Sequence, residues 1–467
     1  MEFVGQTAVE LARAVAAGEV DAQTVVAAHL DHLGEVEHRL GAFVSTRRTA
    51  ALEEAAAVDA APDRAALPLA GVPVAVKDVV AVAGEPTRHG SLATSDTPAT
   101  EDHPLVARLR AAGAVIVGTT RCPELSLWGT SDDPTATVIS PWDPTRGAGG
   151  SSGGSAAAVS AGVVPLALGT DGLGSVRIPA AACGLVGFRP GAPYLTETLD
   201  GEPHWFGMSR FGPLATTVAD AVLMAEVLTG ARFDLDTALN EPLDVAVSWR
   251  TPAPGVTVSN AWREAALEAG RLLHHAGHHV SRADPPYDRA TVQAVIARWT
   301  QGAAADAAAM ELDVERLQPR TRAHVAAGER LAKVSPVDPE DVTRWRERLG
   351  PFFEDHDVLL TPTFARAQPA ATAWHTRPWA ANIAANLSAF PFTAAWNLAD
   401  LPTAVVPLWE DGGRPLSVQI VADAGREDRV LAVAALLESL VPWARHAPGW
   451  GVVGSAGSDG EVAEDRG

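Results

Sequence analysis

The sequence predicts an α/β fold in a single domain, a central mixed β-sheet covered by helices on both faces. Three observations carry this reading. Short apolar runs alternate with helical segments along the whole chain. Of 467 residues, 47% are apolar and 20% charged, enough for a large buried core and unlike a coiled coil or a disordered polymer. No internal repeat or interdomain linker breaks the pattern before the Gly/Ser/acidic stretch 455–467, whose composition predicts a disordered tail. The domain is therefore expected to span 1–454.

Taken in order, Thr7-Ala-Val-Glu10 is a capping box that opens a helix to about Ala17. A second helix is expected over 21–40, where Val25, Val26, His29, Leu30 and Leu33 recur at helical spacing, and a third over 44–60. Strands follow at Val72–Val80 and, after a helix at Leu105–Ala112, at Ala114–Gly118. The Gly/Ser loop 147–155 runs into a small-residue helix, Ala156–Ala161, and then the apolar strand Val164–Leu168. Further strands are expected at 244–248, 357–361, 402–407 and 415–422, and helices at 217–229, 259–275, 288–309 and 426–440.

The formal net charge is −21, so the surface repels phosphate backbones and anionic lipid, and neither nucleic acid nor membrane is an expected partner. Met1-Glu2-Phe3-Val4-Gly5 lacks the basic and apolar regions of a signal peptide, and no window approaches a transmembrane span. Cys122 and Cys183 are the two cysteines, too few for a disulfide framework or a structural zinc site, so the cytoplasm is the simplest compartment. His274, His275, His278 and His279 resemble a metal cluster by spacing. Gly277 breaks the helix between the pairs, however, and histidines at a helix C-terminus suit its dipole, so no metal is expected.

Lysine usage is informative. Lys77 and Lys333 are the two lysines among 36 basic residues, leaving 36 − 2 = 34 arginines. A guanidinium stays protonated, whereas a buried lysine can be neutral and act as a base. Lys77 ends the apolar strand Gly71-Val-Pro-Val-Ala-Val-Lys77, where a lysine ordinarily snorkels to water. Gly147-Ala-Gly-Gly-Ser151-Ser152-Gly-Gly-Ser155 reads as a flexible linker by composition, yet a Pro/Trp turn and a helix tie it down at both ends. It contains a G-x-S-x-G match around Ser152, but that elbow needs a strand before it, and Ser140-Pro-Trp-Asp-Pro is turn chemistry. No Lys follows these glycines, which excludes a P-loop. In Gly169-Thr-Asp-Gly-Leu-Gly174-Ser175-Val-Arg177, a strand end meets a glycine turn whose backbone N–H groups can converge on an oxyanion. A lone Ser there can equally cap a helix.

Together these segments resemble the amidase signature family. The match is dense from Gly71 to Pro190, including Ala182-Cys-Gly-Leu-Val-Gly-Phe-Arg-Pro190, and continues weakly through Pro391-Phe392, Leu401-Pro402, Pro407 and Leu416-Ser-Val-Gln419. The resemblance implies a Ser–Ser–Lys triad with Ser175 as nucleophile, Ser151 (after a cis peptide) as relay and Lys77 as general base and acid. It further implies an oxyanion hole from the amides of Gly172, Leu173, Gly174 and Ser175, and no cofactor. Trp128, Ser152 and Thr170 are the expected substrate-binding residues, and Trp142, Trp205 and Phe206 are candidates for the pocket or the core. Leu173 stands where glycine is usual and Ala148 where proline is usual; Leu173 would matter if the turn required φ > 0 there. The expected substrate is a small neutral amide, acted on by a monomer or homodimer. Three readings compete: a glutamine-hydrolysing subunit of an amidotransferase, an α/β-hydrolase using Ser152, and an impaired, non-catalytic binding protein.

Overall fold

The structure is a computed structural model that describes residues 2–192, 194–195, 198–199 and 204–452. The expected tail at 455–467 lies outside the described residues. Eleven strands form one sheet: β1 (Phe43–Thr46), β2 (Pro73–Lys77), β3 (Val115–Thr120), β4 (Leu166–Asp171), β5 (Val186–Arg189), β6 (Arg210–Ala215), β7 (Asp244–Val247), β8 (His279–Arg282), β9 (Val358–Pro362), β10 (Thr403–Asp411) and β11 (Arg414–Ala422). Their order across the sheet is β1-β3-β2-β4-β6-β5-β10-β11-β9-β7-β8.

The pairing follows from burial. β2, β3, β4 and β9 are buried at every position and rich in Val, Leu and Ala, the continuous apolar pattern of parallel strands covered on both sides. β3-β2-β4 and β9-β7-β8 are parallel blocks, the short and mostly exposed β8 closing the edge of the second. Between them runs an antiparallel centre, in which β10 and β11 form a long hairpin turned at Gly412-Gly413. Helices flank the sheet, and most buried apolar side chains belong to one continuous core. The fold is thus a single α/β domain with a large mixed sheet, and among the described residues no helix is long and apolar enough to cross a membrane.

Several boundaries differ from expectation. Phe43–Thr46 is an edge strand, and the third helix begins only at Arg48. The helix expected from Ala156 starts within the glycines, at Gly153, and the strand expected to stop at Leu168 runs on to Asp171. That extension places Thr170 and Asp171 beside Lys77, since Val76 pairs with Leu168 on the neighbouring parallel strand. The carboxyl ends of adjacent parallel strands are where α/β sheets commonly form sites.

Candidate active site

Lys77 is fully buried at the end of β2, in a wall of apolar β-branched residues. Its Nζ lies 2.6 Å from Ser151 Oγ and 2.7 Å from Thr170 Oγ1. Burial pushes its pKa down to about 8, against the opposing pull of Cys122 and Asp171. Cys122 is itself pushed up to about 12 by burial, so the neighbouring thiol stays protonated. Around neutral pH, Lys77 is therefore poised between its charged and neutral forms.

The Gly/Ser loop presents Ser151 to that amine. The Gly150–Ser151 peptide is cis. A Cβ on residue 150 would stand 2.5 Å from the Trp128 carbonyl, so glycine is required by close backbone approach. Ser131 Oγ donates to the Ser151 carbonyl at 3.3 Å and accepts from Gly153 N at 3.1 Å, pinning the loop to the helix Gly153–Ser160. The segment before Ser152 is not a strand, so the elbow reading lacks the support it needs.

Ser175 is 8% exposed and borders a largely apolar cleft. Its carbonyl accepts from Ser152 N at 3.1 Å, which ties the Ser175 turn to the Gly/Ser loop. The turn is organised from below by Asp171. Its Oδ1 accepts from Gly174 N at 2.6 Å, and its Oδ2 from Val176 N at 3.2 Å. Arg177 closes on the same carboxylate through Nε and Nη2, both at 2.9 Å, with both partners wholly buried. Burial alone would raise the Asp171 carboxyl, but Arg177, with Arg189 and Asn397, holds it well below the usual carboxylate range. Arg177 also donates to Gln419 Oε1 at 2.8 Å and to the Thr393 carbonyl at 3.1 Å, and Asn397 Nδ2 donates to the Asp171 carboxylate at 2.8 Å. The C-terminal third of the chain thus clamps the Ser175 turn.

The structure brings Lys77, Ser151, Thr170 and the Ser175 turn together at the ends of β2 and β4. It also resolves the question about Leu173. The left-handed residue of the turn is Gly174, at φ 115°, and Leu173 has an ordinary negative φ. Leu173 faces the cleft instead, with Trp205 and Trp299 in the surrounding apolar cluster. The Gly174 amide, expected to face an oxyanion, is donated to Asp171. Among the described residues, the amides of Gly172, Leu173 and Ser175 have no acceptor. Trp128 borders the cleft as expected. Ser152 and Thr170 do not: Ser152 Oγ bonds the Thr170 backbone at 3.2 and 3.3 Å, and Thr170 Oγ1 is engaged by Lys77. Trp205 borders the cleft, Trp142 is held elsewhere by the Cys183 carbonyl, and Phe206 is 44% exposed. Sequence reasoning missed Ser131, Thr393 and Asn397; Arg177 and Gln419 were quoted within motifs without a role. Among the described residues, no group of three or more His, Cys, Asp or Glu side chains is placed to hold a metal.

The family model for Amidase matches residues 24–431 of this chain. The chain belongs to the amidase signature family. The putative amidase AmiB2 of Mycobacterium tuberculosis is 37% identical over 463 residues, covering 96% of this chain and 98% of that protein. An acylamidase of Rhodococcus erythropolis is 30% identical over 470 residues, covering 95% and 97%. Among solved structures, 6-aminohexanoate cyclic dimer hydrolase in complex with substrate superposes with a TM-score of 0.87 at 26% identity, covering 96% of this chain and all of that one. A bacterial aryl acylamidase of the amidase signature family superposes with a TM-score of 0.84 at 25% identity, covering 95% and 98%. The chain is therefore an amidohydrolase of this family.

Proposed function

We propose that this amidase cleaves carboxylic acid amides through an acyl-enzyme on Ser175, with Ser151 as proton relay and Lys77 as base and then acid. The observation that carries the reading is the buried Lys77, hydrogen-bonded to Ser151 and held near pKa 8 by its surroundings. Ser175 Oγ attacks the amide carbon; its proton passes to Ser151 as the Ser151 proton passes to neutral Lys77. The C–N bond then breaks, and the departing nitrogen takes the proton back from Lys77 through Ser151. Water, deprotonated by the same path, attacks the Ser175 ester and releases the acid. The amides of Gly172, Leu173 and Ser175 are the three donors available to the oxyanion, one fewer than the sequence suggested.

The net charge of −21 supports an enzyme acting on small molecules without nucleic acid, and two free, buried cysteines suit the cytoplasm. Turnover by serine variants tests the mechanism. On a panel of aliphatic and aryl amides, Ser175→Ala is expected to be inactive and Ser151→Ala to lose about 10³-fold or more in kcat. Full activity in Ser175→Ala would remove the acyl-enzyme from the account.

A further inference from the structure

The cleft before Ser175 has a chemistry of its own. Among the described residues, none that lines it carries a formal charge. Trp128, Trp205, Trp299 and Phe390 supply aromatic wall, and Leu173 and Ile178 aliphatic wall. Of its polar members, Asn386 and Thr291 are already engaged, whereas Ser126 Oγ and Trp128 Nε1 are buried without a partner among the described residues. Asn386 Oδ1 accepts from Gly129 N at 2.6 Å and its Nδ2 donates to the Asn382 carbonyl at 2.8 Å, while Thr291 Oγ1 donates to Asp288 at 2.9 Å. The uncommitted polar groups beside the cleft are thus few and uncharged: Ser175 and its turn, Ser126 Oγ and Trp128 Nε1. With its mouth open to solvent, the cleft has a cavity volume of about 100 Å³, several times what a single water molecule needs. A charged substrate group entering it would lose its hydration and meet no counter-charge.

One ring is built in with particular care. Trp205 is 4% exposed, in a left-handed stretch with φ 50°, 55° and 84° at Trp205, Phe206 and Gly207. Its indole Nε1 donates to Asp306 Oδ2 at 2.8 Å, and His204 Nε2 lies 3.1 Å from the same oxygen. The ring lies against two glycines: a Cβ on Gly172 would stand 2.8 Å from Cε3, and a Cβ on Gly302 would stand 2.8 Å from Cδ1. Gly172 belongs to the nucleophile turn and Gly302 to the helix Arg289–Ala309, so the indole is a wedge between the reacting centre and the cleft wall.

We infer that the enzyme acts on amides carrying a bulky, uncharged aromatic or branched group, and that Trp205, positioned by Asp306, sets the width of its seat. The inference rests on the amidase reading above and replaces the small amide that the sequence suggested. It also sets aside glutamine, whose ammonium and carboxylate groups find no counter-charge among the described cleft residues.

The test compares kcat/KM for propionamide, 4-phenylbutanamide, its para-carboxylated analogue and glutamine, in the wild type and in Trp205→Ala, Trp205→Phe and Gly302→Ala. In the wild type, 4-phenylbutanamide is expected to exceed propionamide by about 100-fold or more, and the carboxylated analogue by about tenfold or more. Trp205→Ala is expected to cut the preference over propionamide at least tenfold, and Trp205→Phe to retain most of it. Gly302→Ala, a helix-favouring change, is expected to lower it by displacing the ring. Preference for glutamine or the carboxylate, or a preference unmoved in Trp205→Ala, overturns the inference. Titration calorimetry of 4-phenylbutanamide with Ser175→Ala separates the two failures. Binding that weakens at least tenfold on adding Trp205→Ala, from a wild type that hydrolyses no amide, would sink the amidase reading and keep the seat. No binding would sink the seat.

Discussion

A fully buried lysine, its amine held by two hydroxyls, gives up its proton more readily than one in water even against the pull of Cys122 and Asp171, and that difference suits Lys77 to the proposed role of base. At about 8, its pKa sits where the neutral form is appreciable at physiological pH and the conjugate acid can still protonate a departing nitrogen. Because the base must be neutral to accept a proton, kcat/KM is expected to rise as pH increases through about 8 and then level off. A profile flat between pH 6 and 9.5 would show that no group of this kind limits the rate. Lys77→Arg keeps a cation and the hydrogen-bonding capacity but cannot be neutral. It is expected to lose at least about 10³-fold in kcat while retaining its far-UV circular dichroism, and a variant with a tenth of wild-type turnover would contradict the assignment.

At the scale of elements, the strap from β4 through the turn to the helix Arg177–Cys183 depends on one buried ion pair, with the C-terminal residues Thr393, Asn397 and Gln419 closing around it. Arg177→Met leaves Asp171 charged, buried and without its main partner. The expected cost is about 3–5 kcal/mol, read from the denaturant midpoint, with loss of turnover because the turn amides lose their frame. A cost under about 1 kcal/mol would mean the strap is held elsewhere. Elements whose signal is their own residues were legible in the sequence: the capping box of Thr7 and Glu10, the apolar runs of β2 and β4, and the long amphipathic helices. What escaped had its signal inverted or shared. Arg210–Ala215 carries a proline and a glycine yet is an interior strand, and His279–Arg282 is a short polar edge strand without alternation. The helix Gly153–Ser160 begins in glycines because Cβ atoms there would strike Ser131 and the Ala42 carbonyl, contacts no local pattern announces. The residues of the proposed triad stand out in the sequence because lysine is scarce and the motifs are dense; Ser131, Thr393 and Asn397 act through distant packing and do not.

Across the whole molecule, buried ionisable groups pull stability in opposite directions with pH. Burial lowers His29 and His446, each to about 4, where helix Ala22–Leu40 and the C-terminal segment meet the chain around Val159–Val163. Each stays neutral in the fold but is protonated in the unfolded chain below about 6.5, so each costs stability as pH falls from 6.5 through 4. Asp78, Glu427 and Glu438 are raised by burial to about 7 and act oppositely, costing stability as pH rises from about 4 to 7. His446→Leu removes one acid-side term, so its stability relative to wild type is expected to improve by up to about 3 kcal/mol between pH 7 and pH 4. A difference between the two proteins that is independent of pH would show that His446 does not titrate with unfolding. In the proposed mechanism the same architecture gathers a base from β2, a relay from the Gly/Ser loop and a nucleophile from the turn after β4, and one trapping experiment addresses all three. The enzyme is treated with a serine-directed phosphonate and the adduct located by peptide mapping in the mass spectrometer. The account predicts a single adduct on Ser175, formed more slowly in Ser151→Ala and absent in Ser175→Ala; an adduct on Ser152, with turnover surviving in Ser175→Ala, would contradict it.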